Sequence, residues 1–327
     1  MMYRRTFVGA VAVATIAVPL AANAQTATAI RRIGHLWPGT QPVPADFQSE
    51  TASLRALGWV EGRNLLVERR YANGRAERLR PLAEELVRLK VELIVTDGTA
   101  AALAAKSATT AIPIVMATVG DPVLAGLVAS LARPGGNITG FSIVGPELNA
   151  KRLALLQELL PGLQRLGVLE LSTNPYYRAT RKELDRSCRS LGIQPIIVEV
   201  AAAGELENAI SEMVSRRAQA LLVQGDDLFA DNRVSLMSAA SRYALPILAT
   251  NKVMLEAGAL VFYGNSKAEQ AQRDAAFIDR ILRGAKPADL PIEQPTKFEL
   301  VINLKAAKTL GITVPKSLVL RADDVIQ

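Results

Sequence analysis

The sequence predicts an α/β protein: two doubly wound parallel sheets, one per domain, with a ligand cleft between them. Three observations predict it. Short apolar runs alternate with stretches of helical periodicity, the pattern of strand–helix–strand units. The plan is carried out twice along 327 residues. And most of the apolar runs end in a small polar turn, as at Thr96-Asp97-Gly98-Thr99 and Gly120-Asp121-Pro122.

The first half opens with the strand IRRIGHLW (30–37). A helix over 45–57 turns Phe47, Leu54 and Leu57 inward and stops at Gly58, and NLLVERRYA (64–72) is a second strand. Leu79, Leu82, Ala83, Leu86 and Leu89 recur every three or four residues, so 76–90 is an amphipathic helix. VELIVTD (91–97) is largely apolar, as a strand covered on both faces must be. A helix over 99–108, a strand over 112–117, a helix over 122–132, the turn Arg133-Pro134-Gly135-Gly136-Asn137 and the strand ITGFS (138–142) follow.

The second half repeats the plan without repeating the sequence. A helix over 147–160 leads to RLGVLEL (165–171), and a helix over 176–191 to IQPIIVEVA (193–201). A helix over 204–217 leads to AQALLVQGDD (218–227), and a helix over 231–243 to LPILATN (245–251). GALVFYG (258–264) and a helix over 266–283 complete it. No Gly/Ser-rich linker separates the halves, so the chain is expected to cross between domains more than once, near 142–146, 263 and 294. Residues 30–142 with 264–293 then make an N-terminal domain, and 143–263 with 294–327 a C-terminal one.

Residues 1–24 stand apart as an export signal. Arg4 and Arg5 precede an Ala/Val-rich run from Val8 to Leu20, with Ala22 and Ala24 marking cleavage before Gln25. Arg4-Arg5-Thr6-Phe7-Val8 fits a twin-arginine signal as well as an ordinary Sec signal. No Cys stands at the cleavage site, which argues against a lipid anchor, and no later run is long enough to span a bilayer. The expected destination is the periplasm, with no membrane insertion after cleavage. The single Cys188 excludes an intramolecular disulfide and reads as a packed helix residue. The formal charge is +7, of which the two signal arginines carry two. The densest basic patch, ERRYANGRAERLR (68–80), has one interleaved aromatic and reads as a solvated face, not a nucleic-acid site.

Open α/β sheets bind ligands beyond the carboxyl ends of their strands. The residues expected there are Trp37 with Pro38-Gly39-Thr40, Asp97-Gly98-Thr99, Gly120-Asp121, Ser142, Ser172-Thr173-Asn174, Asp226-Asp227, Thr250-Asn251 and Tyr263-Gly264. Singly, Thr99, Asp121, Asn174 and Asp226 are also good helix caps. Together they mark a cleft in which glycine admits close backbone approach and free helix N–H groups receive an anion. Catalytic equipment is sparse. His35 is the one histidine, in mid-strand; with one Cys it makes zinc improbable. There is no GxGxxG and no GxxxxGK[ST], so no nucleotide cradle and no cofactor is expected.

The block RLRPLAEELVRLKVELIVTDGTAAALAAKSATTAIPIVMATVGDPVLAGLVASLARPGGNITGFS (78–142), with LGWVEGRNL (57–65), LLQELLPGLQRLGVL and ELVINLKAAKTLGITVP (299–315), resembles an ABC-transporter substrate-binding family that includes binders of tryptophan and other aromatic amino acids. The resemblance implies the type I periplasmic binding fold, two Rossmann-like domains with three crossovers, and an inner-membrane ABC permease as partner. It also implies that Gly98-Thr99 with the Ala100 amide holds a ligand carboxylate, that Ser142 lines the cleft, and that the second-domain pair meets the ligand ammonium. That pair is Asp-Asn in the family and Asp226-Asp227 here. Trp37, Tyr176, Tyr177, Phe229 and Tyr263 are candidate walls for an apolar side chain.

The reading is a solute-binding protein that grips a small polar ligand, an amino acid or similar carboxylate, by hinge closure and performs no chemistry. Gly98, Thr99, Asp121 and Ser142 act from one domain; Asn174, Asp226 and Thr250 from the other. An exported enzyme using Asp97, Asp121, Asp226 or Asp227 is the alternative from another class. Carboxylates facing across the cleft with no cation between them would favour it. A sensor subunit serving a membrane kinase is the third.

Overall fold

The structure is a computed structural model and describes residues 30–41, 47–143 and 146–327. The expected export signal lies outside the described residues.

Strands β1 (Arg31–Trp37), β2 (Leu65–Tyr71), β3 (Leu93–Thr96), β4 (Ile114–Val119) and β5 (Ile138–Ser142) form the first sheet, in the order β2-β1-β3-β4-β5. All its pairings are parallel. Alternation along β1 decides which residues meet which helices. Leu36 joins the core under α2 (Leu79–Arg88) and α3 (Gly98–Ala108), where Leu79, Leu82, Ala83 and Leu86 pack as the helical spacing requires. Ile33 joins the opposite core, under α1 (Gln48–Ala56) and α10 (Lys267–Leu282). Thus α10, far along the chain, covers the first sheet through Phe277, Ile278, Ile281 and Leu282.

The second sheet holds β6 (Arg165–Leu171), β7 (Gln194–Val200), β8 (Ala220–Val223), β9 (Ile247–Ala249), β10 (Val261–Asn265), β11 (Phe298–Asn303) and β12 (Asp324–Ile326). Its order is β12-β11-β10-β9-β8-β6-β7. One face is covered by α6 (Leu206–Ser215), α7 (Asp227–Asp231), α8 (Arg233–Ser241) and α9 (Val253–Glu256). The other is covered by α4 (Pro146–Leu159), α5 (Pro175–Ser190), α11 (Leu304–Thr309) and α12 (Lys316–Arg321). Cys188 of α5 is fully buried there, and burial pushes its thiol up to about 12, so it is an inert packing residue.

Three departures from the sequence reading stand out. The helix expected over 122–132 is absent. Asp121 accepts from the N–H groups of Val123 and Leu124, both at 2.9 Å, but the turn it caps stops at Gly126, whose φ is +69°. The second sheet is not wholly parallel, because β10 and β11 run antiparallel. And the tail beyond 294, assigned no elements, adds two strands and two helices.

The segments joining the lobes lie side by side. Phe141 bridges Glu293, Ser142 N–H donates to the Glu293 carbonyl at 2.9 Å, and Ser266 N–H donates to the Lys297 carbonyl at 3.3 Å. Arginines of the 68–80 patch are paired with acids: Arg69 with Glu61, Arg70 with Glu85 and Arg80 with Glu84. No helix among the described residues is long and apolar enough to cross a membrane.

Candidate ligand-binding site

In a doubly wound sheet, ligands bind where the strand order reverses, beyond the carboxyl ends of the two strands flanking that point. The reversals here fall between β1 and β3 and between β6 and β8. The strand ends concerned deliver Trp37 and Asp97 from one lobe, and Asn174 and Asp226 from the other.

On the first lobe, the turn after β3 opens α3. Asp97 occupies the N-cap position in extended conformation, but its side chain does not cap. It accepts instead from the Thr118 hydroxyl at 2.6 Å. Gly98 takes φ +74°, which a side chain would strain, and Thr99 is buried in the first turn. The N–H groups of Gly98, Thr99 and Ala100 thus stand at the positive end of an 11-residue helix without a side-chain cap. Thr99 lies inside this helix and is not its cap.

On the second lobe, Asn174 is a true N-cap: its side-chain oxygen accepts from Tyr176 N–H at 3.1 Å while its amide donates to Asp226 Oδ2 at 3.0 Å. The Tyr177 hydroxyl donates to the Gly225 carbonyl at 2.6 Å, fixing the turn before Asp226. Thr250 stands beside the same turn, with its hydroxyl 3.4 Å from the Val223 carbonyl. Burial pushes the Asp226 carboxyl up to about 6, against the pull of Asn174.

The lobes touch. Thr40 N–H donates to Asp231 Oδ2 at 2.7 Å, and Gly39 N–H bonds to Asp227. A Cβ on Gly39 would sit 2.9 Å from both Asp227 Cβ and Asp231 Oδ2. A Cβ on Gly120 would fall 2.3 Å from the Tyr176 ring. Two acids one helical turn apart on α7 therefore clasp consecutive backbone amides of the loop after β1.

Asp97 is within electrostatic reach of both Asp226 and Asp227, and burial raises all three. None of the three is ion-paired among the described residues. Carboxylates therefore do face each other across the cleft.

Of the residues singled out from the sequence, Trp37, Gly98, Thr99, Ala100, Asn174, Asp226 and Thr250 gather at these facing strand ends. Asp121 is exposed and committed to its turn. Ser142 is buried at the lobe junction, its hydroxyl donating to the Gly120 carbonyl at 2.7 Å. Phe229 is a core residue, 1% exposed. Tyr263 stacks on Phe298, and Tyr176 covers Gly120. Trp37 packs edge-on against His35 and Phe47. Sequence reasoning missed the Asp231 clasp and Arg152, which is buried on α4. Arg152 donates from Nε to the Tyr263 carbonyl at 2.9 Å and from Nη1 to Asn149 at 3.1 Å. The i, i+4 acids at 227 and 231 were the available signal for the clasp. Surface depressions of about 210 and 430 Å³ lie elsewhere, beside Lys106 and beside Arg178, and neither is lined by Thr99, Asn174 or Asp226.

Comparison with known proteins matches residues 48–326 to the family described as ABC transporter substrate binding protein. A tyrosine-binding protein of Clostridioides difficile (strain R20291) is 27% identical over 261 residues, covering 80% of this chain and 74% of that one. The ABC domain of Streptococcus pneumonia in complex with L-Trp superposes with a TM-score of 0.84 at 27% identity, over 90% of this chain and 99% of the other. A conserved domain protein of Vibrio cholerae superposes at 0.85 with 26% identity and the same coverage.

Proposed function

The protein belongs to the family of ABC transporter substrate-binding proteins, and from that membership we infer that it is the periplasmic capture component of an importer for an amino acid or a similar small carboxylate. The ligand carboxylate lies on the first turn of α3, at the amides of Gly98, Thr99 and Ala100. Its ammonium turns to Asp226, held in place by Asn174. Trp37 and Thr250 close the sides. The Gly39–Thr40 clasp on Asp227 and Asp231 fixes the closed form, which delivers the ligand to a membrane permease.

What chiefly supports this reading is the opposition of an uncapped helix start on one lobe and a hydrogen-bonded carboxylate on the other, at the two points where the strand orders reverse. A zwitterion has the matching pair of charges. Two of the relatives at 27% identity are a tyrosine-binding protein and a domain in complex with L-Trp. The facing carboxylates would equally suit an enzyme, but the relatives are solute-binding proteins and not enzymes, so these acids are read as ligand and clasp groups. The Val8 to Leu20 run behind Arg4 and Arg5 supports export.

The test is titration calorimetry of the ligand-stripped chain against amino acids, small carboxylates and sugars. Binding by an amino acid that weakens about tenfold to a hundredfold in Asp226→Ala, the loss of one charge-assisted hydrogen bond, is the expected result. A sugar hit indifferent to Asp226 and Thr99 would overturn it. Mature protein from the periplasmic fraction beginning at Gln25 is the expectation for export.

A further inference from the structure

The first lobe carries a second polar patch, continuous with the cleft, that a simple zwitterion leaves unanswered. His35 of β1, Glu50 of α1, Asp97 after β3 and Asp274 of α10 come together on the α1/α10 side of the sheet. His35 and Asp274 are only 4% and 6% exposed, and neither His35 Nε2 nor Asp274 Oδ1 has a hydrogen-bond partner. Such orphaned buried atoms are uncommon and costly in a folded protein. Asp274 lies within electrostatic reach of Glu50 and Asp97, and Asp97 within reach of Asp226 and Asp227 opposite. Asp97 is therefore the member shared by patch and cleft.

Two cations reach the patch from its rim: Arg69 acts on His35 and Glu50, and Lys267 on Asp97. Arg69 of β2 is held by Glu61 through hydrogen bonds of 2.6 and 2.8 Å. Lys267, at the start of α10, is exposed. Gln270 gives its amide to the Ala117 carbonyl at 2.9 Å and reaches Thr118 at 3.3 Å. Burial holds His35 down at about 4, so it is neutral, and raises Glu50 to about 7. Closing two lobes over this many carboxyl groups requires either protons or a cation from outside. An amino acid's ammonium answers Asp226 and the α3 amides answer its carboxylate. The Gln270 side chain also donates to the Asp274 carboxyl, but Asp274 Oδ1 is left without a donor.

We propose that the ligand is a basic amino acid whose side-chain amine or guanidinium ends among His35, Asp97 and Asp274. This rests on the amino-acid reading above and narrows it. The edge-on packing of Trp37, His35 and Phe47 beside the patch supplies apolar surface for the methylene stem of such a side chain. The surplus of carboxyl groups excludes an acidic side chain.

The experiment is titration calorimetry of ligand-stripped protein with arginine, lysine and ornithine, against tryptophan, tyrosine, leucine and glutamate. A basic amino acid is expected to bind and the others not. Asp274→Asn and Asp97→Asn are expected to weaken that binding about tenfold or more. Melting of the empty variants shows that they fold, since a neutral isostere replaces a buried acid. Binding is also expected to weaken as the pH is lowered from about 7.5 to about 5.5, because Glu50, raised to about 7, and Asp226, raised to about 6, take up protons in that window and burial biases Asp97, Asp227 and Asp274 the same way. Binding of tryptophan, tyrosine or leucine in place of the basic amino acids overturns the proposal and leaves the amino-acid reading standing. Basic amino acids bound equally by wild type and both variants overturn the patch. Silence toward every amino acid overturns both readings.

Discussion

Asp226 is held by Asn174 in a setting where burial has raised its carboxyl to about 6. In the unfolded chain it titrates near the ordinary aspartate value of 3.8. Above about pH 6 both states are ionised and the folded one bears the full cost of the buried charge; below about 4 both are protonated and that cost is gone. Empty protein should therefore gain stability from this group as pH falls through that window. Glu50, raised to about 7, adds to the gain from a higher pH, whereas His35, lowered to about 4 from 6.5, opposes it because the folded state resists its protonation. In Asp226→Asn the rise in melting temperature between about pH 6 and pH 4 should be smaller than in wild type, in scanning calorimetry of the stripped chain. At Gly98, φ of +74° predicts that Gly98→Ala costs about 1 kcal/mol in urea denaturation, together with weaker ligand binding. Asn174 and Asp226 were legible as polar strand ends. That they would bond to each other was not, because strand order decides which ends meet, and no local pattern encodes strand order.

At the scale of elements, alternation carried most of the assignment. Continuous apolar runs marked buried parallel strands, and the 79–89 spacing marked α2. The failures have physical causes. Asp121-Pro122 is a genuine cap, yet Gly126 at positive φ ends the turn it starts. The antiparallel β11 is a largely buried run like the parallel strands of its sheet, so its own residues do not show its direction. Helix α10 is the instructive element: its periodicity was plain, but the sheet it covers was a matter of chain crossing. Phe277 is 2% exposed in the core it shares with Ile33, Val95 and Val115. Phe277→Ala should cost about 3–5 kcal/mol in denaturant unfolding, and the first lobe should lose hydrogen-exchange protection before the second.

For the whole molecule, function depends on two bodies meeting closely, and glycine sets how closely. Gly120→Val should fold normally, because the obstructing Tyr176 belongs to the other lobe, yet it should hold the lobes apart. Small-angle scattering should find no ligand-induced contraction in this variant, where wild type contracts, and affinity should fall together with the lost contraction. Arg152, whose Nε donates to the Tyr263 carbonyl next to the second crossing, ties the junction on the α4 side.

The return of α10 to the first sheet also sets the order of events in biosynthesis. Translation finishes the strands of the first sheet at Ser142, but the helix that seals one face begins only at Lys267. In between, the ribosome makes most of the other lobe, which in turn awaits β11 and β12 near the very end. Neither half can complete its interior from a contiguous stretch of message, and long-range closure of this kind slows folding. A gene fragment ending at codon 143 would leave Ile33, Val95 and Val115 facing water. A truncation before Lys267 therefore damages both lobes at once, because it removes α10 from the first and β11 and β12 from the second.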